Sequence, residues 1–468
     1  MYLTQKISAR ETALKVLLAV EEREAYANLA LGAVLDKMNP GKLDRAFITE
    51  LVYGTLRTQN TLDWALSRYL RRSLPELTAA VRNILRLGTY QILFMDRVPD
   101  SAAVNESAIL ARRHGHEGIV KFVNGVLRNL VRGKKQLNYP DPNEDPVQYI
   151  ALRHSHPAWL VRRWLNDFGF AETEALCAAN NQPAPNTVRV NTLKTSAAEL
   201  IEKLATLGVK ATRGQYAVDC LQLQGFVSLG GLAPFKEGLL QAQDESSILV
   251  GQAVRPAPGS RVLDVASAPG GKATHLAQLM QNQGVIMALD VHEHKIKLIE
   301  ENCRRLGVQI VQPVLADARQ IPEKYTGWAD YVLVDAPCSG LGVLRRRPDA
   351  RWRKGEEQLA ALAELQAQIL ESAAAVLKPG GVLVYSTCTI TCEENLGQVK
   401  SFLHKHADFQ WESLAELLPD SLDYTATMGR GYLQLLPHIH GLDGFFIARL
   451  RKSDNMPLTS QQDLYGRV

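Results

Sequence analysis

The sequence predicts a multidomain protein: an all-α helical domain, a small α+β middle domain, and an α/β domain built on a mostly parallel, doubly wound sheet. Three observations carry this. Residues 5–133 keep a helical apolar period throughout, the stretch NYPDPNEDP (138–146) interrupts it with three prolines, and from about residue 236 short apolar strands alternate with amphipathic helices. At 468 residues the chain is too long for one ordinary core. The expected parts are 1–138 (helical), 139–235 (α+β), 236–452 (α/β) and a polar tail at 453–468.

In the helical part, Ala13, Val16, Leu17 and Val20 form one stripe. Ile119, Phe122, Val123, Val126, Leu127 and Leu130 form another at one-face spacing. The prolines of the linker cannot continue a helix, so a boundary is placed there. The middle part reads as a helix around Pro157–Phe168, the strand TVRVNTL, the helix SAAELIEKLATLG and the short strand CLQLQ. The third part offers the strands RVLDVA, VIMALD, VQIVQPV, DYVLVD and GGVLVYST, and ends in GFFIARL.

Hydrophobic residues at 46% and charged residues at 22% indicate a folded globular chain rather than a disordered or fibrous one. The N-terminus does not read as a secretory signal, and no apolar run reaches membrane-spanning length. Six scattered cysteines form neither a disulfide framework nor a paired zinc pattern, so a reducing, cytoplasmic setting without a metal is expected. Charge is uneven: residues 1–140 hold 21 Lys and Arg against 13 Asp and Glu, while the remainder holds 32 against 36. A basic lobe suits phosphate neutralisation, and a solvated helical surface accounts for it equally well.

The first α/β strand runs into Asp264-Val-Ala266-Ser267-Ala268-Pro269-Gly270-Gly271-Lys272, a glycine turn opening a helix, where backbone can approach a ligand closely. The next strand ends in Asp290, at the sheet edge where a carboxylate accepts hydrogen bonds from ribose hydroxyls. A dinucleotide fingerprint is absent, and Ala266 and Ala273 spoil a P-loop. S-adenosylmethionine fits what remains: no phosphate, a ribose, an amino-acid end and a sulfonium that tolerates a carboxylate cluster. Asp264, Asp290, Asp317 and Asp335 all follow apolar strands, as helix caps also do, but four at successive strand ends favour a ligand site.

Two cysteines follow strands at the same edge, Cys338 in Asp335-Ala-Pro-Cys-Ser-Gly and Cys388 in Tyr-Ser-Thr-Cys-Thr. A lone cysteine is usually an inert small hydrophobe. Paired at a ligand edge, the two suit methylation of carbon 5 of cytosine. That carbon becomes nucleophilic only after a thiolate adds to carbon 6, and then a base must take the carbon 5 proton before the thiolate leaves. Asp335 is the natural partner for N3 of the ring, provided that it or the ring carries a proton. Spacing alone leaves open which cysteine attacks. Lys272 lies near the cofactor loop and cytosine site, or is a solvated lysine at a helix start. Cys177, Cys220, Cys303 and Cys392 read as structural.

The runs VLDVASAPGGK, DAPCSGLG, RRRPDARW and YSTCT resemble the NOL1/NOP2/Sun family of RNA cytosine-5 methyltransferases. The resemblance implies a Rossmann-like methyltransferase domain using S-adenosylmethionine, with Cys388 as nucleophile and Cys338 assisting product release. Ala266 and Ser267 stand where Cys-Ala is usual, and Ala273, Arg347 and Thr389 where Thr, His and Ser are frequent; these changes bear on cofactor contact and substrate docking. Arg345, Arg346 and Arg347 are candidates to grip substrate phosphates, the other reading being a surface loop. In the front lobe, DRAFITELVYGTLR, LRLGTYQILFMDRVPDSAAVNESAILARR and KFVNGVLRNL resemble the NusB family of RNA-binding helical domains. Together the parts resemble bacterial ribosomal RNA members of the methyltransferase family along nearly the whole chain. This implies a small-subunit (16S) ribosomal RNA substrate whose target cytosine is unstacked into the pocket, and a monomer acting without metal or membrane. Two other readings remain at this point: a non-catalytic RNA-binding or antitermination factor, and a methyltransferase of DNA, protein or a small molecule. The DNA reading predicts that Cys338 attacks.

Overall fold

A computed structural model describes residues 8–454, apart from 322 and 424; the expected polar tail lies, from 455 onward, outside the described residues. The chain divides into two compact units. One takes the residues up to Gln182 together with Leu344–Lys354, and the other takes Pro183–Val343 with the residues from Gly355.

In the first unit, seven helices enclose one apolar core: α1 (Ala9–Glu22), α2 (Ala27–Met38), α3 (Lys42–Arg57), α4 (Gln59–Ser67), α5 (Ala79–Phe94), α6 (Asp100–His114) and α7 (Glu117–Gly133). Both expected stripes face that core except Phe122, which lies at the rim, 37% exposed. The helix α8 (Pro146–Arg153) starts on a proline capped by Asp145 and packs on α4. There the Thr61 hydroxyl donates to the Leu152 carbonyl (2.6 Å), and the Asn60 amide side chain to the Ala151 carbonyl (3.0 Å). The linker 138–146 therefore lies within this unit. The helix expected to end at Phe168 runs as α9 (Ala158–Ala179) with a break at Gly169, whose φ of 76° is left-handed and natural only to glycine.

The second unit begins with β1 (Thr187–Val190), α10 (Ala197–Thr206), β2 (Lys210–Arg213), β3 (Cys220–Gln224), α11 (Ala233–Lys236) and β4 (Leu240–Ala242). Its strands form an antiparallel sheet in the order β2-β3-β1-β4. A capping box, Ser196 with Glu199, starts α10, which buries Leu200 and Leu204 in this small core.

After α12 (Glu245–Val254) comes the larger sheet: β5 (Arg261–Val265), α13 (Gly271–Leu279), β6 (Val285–Asp290), α14 (Glu293–Leu306), β7 (Val311–Leu315), β8 (Ala329–Asp335), α15 (Ala350–Arg353, in the first unit), α16 (Glu357–Ala375), β9 (Leu377–Thr387), α17 (Leu396–Lys405), β10 (Phe409–Trp411), β11 (Tyr432–Leu435), α18 (Pro437–His440) and β12 (Phe445–Lys452). The order β10-β12-β9-β8-β5-β6-β7 has parallel pairing from β7 to β9. β12 pairs antiparallel with β9, β10 and β11. The expected α/β class is therefore present, and strand order reverses on either side of β5, the switch point at which doubly wound sheets hold ligands.

Candidate active site

The carboxyl ends of β5, β6, β8 and β9 bring most of the expected site residues to one sheet edge. From β5, fully buried Asp264 accepts the Ser267 hydroxyl on Oδ2 (2.7 Å), while its buried Oδ1 has no hydrogen-bond partner. Burial, opposed by the Ser267 hydrogen bond and reinforced by Asp335, pushes its carboxyl up to about 7. The turn itself places Ala266 at φ 56° and Gly270 at φ 92°, and the Gly270 N–H donates to the Ser267 carbonyl (2.8 Å). A side chain at Gly271 would meet nothing within 4 Å, so the turn leaves open space in front of the α13 N-terminus. Ala268 and Pro269 complete the turn between these points.

Asp290 is nearly buried at the end of β6, with one oxygen accepting the His292 N–H (3.0 Å) and Lys295 at 3.8 Å. The next residue, Val291, is 59% exposed, an apolar surface beside a carboxylate. Asp317 is already engaged: Arg319 donates to both of its oxygens at 2.6–3.0 Å, and these bonds hold its carboxyl below the usual range. An orphaned buried carboxylate oxygen, an open glycine turn and an acid beside an exposed apolar residue fit the ammonium, ribose and base of S-adenosylmethionine.

The two cysteines meet because of register. Strands β8 and β9 are parallel neighbours with Asp335 opposite Ser386, so Cys338 and Cys388 follow paired positions by three and two residues. Their Sγ atoms are 3.3 Å apart. Lys272, from the first turn of α13, donates to Asp335 Oδ2 (2.6 Å), and the Ser386 hydroxyl donates to Oδ1 (2.8 Å). Burial works against the Lys272 charge, but Asp335, Cys388 and Asp264 outweigh it and raise its pKa. Its ammonium also lies 5.5 Å from the Phe445 ring centre. The Cys388 sulfur, then burial, then the charge of Glu394 push the Cys338 thiol well above its ordinary range.

Arg345, Arg346 and Arg347 lie in Leu344–Lys354, the segment that belongs to the helical unit; Arg345 is buried, Arg346 half-buried and Arg347 exposed. The same motif contains a residue the sequence did not single out. Arg351, fully buried, donates to the Ser155 carbonyl (2.9 Å), the Asn181 side chain (2.9 Å) and the Asn180 carbonyl (3.2 Å). Sequence reasoning also passed over Ser386, Phe445, Glu394 and Arg189. Arg189 on β1 reaches the Gly271 carbonyl (2.7 Å) and the Thr274 hydroxyl (3.1 Å) of α13. Cys177, Cys220 and Cys303 are buried as expected of structural cysteines; Cys392 is exposed, because it sits on the outer side of the turn after Thr391.

Three family models match the chain: the NusB family over residues 7–132, the RsmF/B-like ferredoxin-like methyltransferase domain over 156–230, and the 16S rRNA methyltransferase RsmB/F over 251–451. A probable ribosomal RNA small subunit methyltransferase B from Bacillus subtilis is 41% identical over 96% of this chain and 99% of its own length. Its counterpart from Synechocystis is 39% identical over 96% and 100%. Among solved structures, that of PH0851 superposes with a TM-score of 0.82 at 29% identity, over 97% of this chain and 100% of that one. The structure of NSun6 from Pyrococcus horikoshii with SFG, an S-adenosylmethionine analogue, gives 0.58 at 28% identity, over 64% and 99%.

Proposed function

Since the chain belongs to the 16S rRNA methyltransferase RsmB/F family, an S-adenosylmethionine-dependent group acting on small-subunit ribosomal RNA, we propose that it methylates carbon 5 of a cytosine with Cys388 as nucleophile. The observation that carries this reading is the pair of thiols 3.3 Å apart beside the Lys272–Asp335 ion pair. One thiol must attack and a second group must take a proton from the adjacent ring carbon, and two sulfurs at that distance can address neighbouring atoms of one ring.

The charges support the division of labour. Lys272 interacts with Cys388 and favours negative charge on that sulfur, whereas Cys338 faces the Glu394 charge and stays a thiol. Cys388 therefore adds to carbon 6, and Asp335, steadied by Lys272 and Ser386, meets the N3 edge of the ring. Bound S-adenosylmethionine supplies the electrophilic methyl. A base then takes the carbon 5 proton, its electron pair re-forms the ring double bond and the Cys388–carbon bond breaks, with Cys338 assisting release of the product. Asp264, the 266–272 turn and Asp290 hold the cofactor. Asp317 joins them once its oxygens turn from Arg319. Half-buried Arg346, exposed Arg347 and the basic helical lobe meet RNA phosphates, whereas Arg345 is buried and is not part of that grip; the working parts are 1–138, 139–235 and 236–452.

The test is methyl transfer from labelled S-adenosylmethionine to unmodified small-subunit ribosomal RNA, followed by nucleoside analysis. Labelled 5-methylcytidine is expected; label in any other nucleoside overturns the carbon 5 reading.

A further inference from the structure

Glu394 stands six residues beyond Cys388, outside every motif, and is completely buried. Four hydrogen bonds converge on its carboxylate. Oε1 accepts the Ser339 N–H (2.8 Å) and the Gln366 amide (3.0 Å), while Oε2 accepts the Ser339 hydroxyl (2.6 Å) and the Thr391 hydroxyl (2.7 Å). Because the Ser339 hydroxyl donates to Glu394, it accepts from Thr389, at 2.8 Å. The Glu394 backbone carbonyl accepts the Tyr385 hydroxyl (2.7 Å), and Gln366 also donates to the Pro337 carbonyl (2.9 Å).

Every side-chain bond of this carboxylate comes from a donor, the complement of an acceptor-only group. The donors lie on both cysteine loops: Ser339 adjoins Cys338, and Thr389, reached through Ser339, adjoins Cys388. One side chain thus ties the loop after β8 to the loop after β9. It does so in a dry setting, where a charge acts strongly on a neighbouring sulfur. Lys272, paired with Asp335, is positive and interacts with Cys388.

We propose that Glu394 is the positioning residue of the thiol pair: it clamps the two cysteine loops at their spacing and disfavours negative charge on Cys338, so that the thiolate forms on Cys388. This rests on the reading of Cys388 as nucleophile, but its test uses no methyl transfer, so failure of that reading and failure of this one are distinguishable.

Two variants of the full chain separate charge from clamp. In Glu394→Gln the side-chain volume stays and the charge goes. Iodoacetamide labelling followed by peptide mass spectrometry across pH should show Cys338 reacting at lower pH than in the parent. The preference for Cys388 over Cys338 should fall about tenfold, the equivalent of one pKa unit. Ser339→Ala keeps the charge and weakens the clamp, removing the hydroxyl bond to Oε2 and the link to Thr389 while the Ser339 N–H stays on Oε1. Diamide, which takes two hydrogens from a thiol pair and becomes its hydrazine, should then close a Cys338–Cys388 disulfide about tenfold more slowly than in the parent. An unchanged labelling preference in a folded Glu394→Gln protein overturns the proposal, as does an unchanged disulfide rate in Ser339→Ala. If Glu394→Gln does not fold, Glu394→Asp replaces it: the shortened carboxylate should move the labelling preference the same way by a smaller factor, and no movement overturns the proposal.

Discussion

Asp264 keeps one oxygen on Ser267 and the other without a partner, and burial raises its carboxyl to about 7. An acid with a raised pKa holds its proton up to that pH. If the orphaned oxygen receives the cofactor's ammonium, binding requires the ionised form. Affinity for S-adenosylmethionine should therefore be steady above about pH 7 and fall about tenfold per unit below it, as read by calorimetric titration. A flat affinity from about pH 5.5 to 8 would contradict this. At the thiols, Cys388→Ala should abolish methyl transfer with cofactor binding intact, and Cys338→Ala should accumulate a protein–RNA adduct on denaturing gels; absence of adduct removes the release role. Asp264, Asp335 and both cysteines were legible in the sequence because each follows an apolar strand in a motif of restricted chemistry. Glu394 was not. A glutamate in TCEEN reads as a solvated turn residue, and only the pairing of β8 with β9 turns it inward to face Ser339.

Two devices seat the helix α13, which carries Lys272. Arg189 grips the Gly271 carbonyl and Thr274. On the other side, Gly251 of α12 lies so close to buried His275 that a Cβ there would sit 2.1 Å from the ring. Arg189→Met should remove these two buried, charge-assisted hydrogen bonds, at roughly 1.5–3 kcal/mol each. It should lower the melting temperature and weaken cofactor binding together, and unchanged affinity in the folded variant would show that the tether does not set the turn. Strands β5, β6, β8, β9 and β12 were plain in the sequence as apolar runs beside turn residues. β7, expected over 308–314, begins at Val311, because the preceding residues complete the turn after α14. β4 and β10 have three residues each and β11 four, too few to establish a period, and they exist because a longer neighbour pairs with them.

Charge asymmetry is a property of the whole molecule, and it divides at the helical lobe. Lys121, Arg128 and Arg132 are exposed along α7. Neutralising all three to Gln should reduce the slope of log affinity for RNA against log salt by roughly 2, at about 0.7–0.9 per phosphate contact. An unchanged slope would assign those charges to solvent. Substitution is a cleaner test than removing residues 1–140, because the segment Leu344–Lys354 is built into the helical unit. There the Trp352 indole donates to the Leu56 carbonyl (2.7 Å), and Arg353 to that of Glu24 (2.8 Å). The sequence could not reveal this, since RRRPDARW reads as a basic loop, and only packing distinguishes exposed Arg347 from fully buried Arg351. The central claim, covalent attack by Cys388, is tested most directly with small-subunit ribosomal RNA containing 5-fluorocytidine, whose carbon 5 has no proton to lose once methylated, so the thiolate stays attached. Mass spectrometry of the trapped complex should find the nucleotide on the peptide carrying Cys388; a nucleotide on Cys338, or no adduct after methyl transfer, would contradict the account.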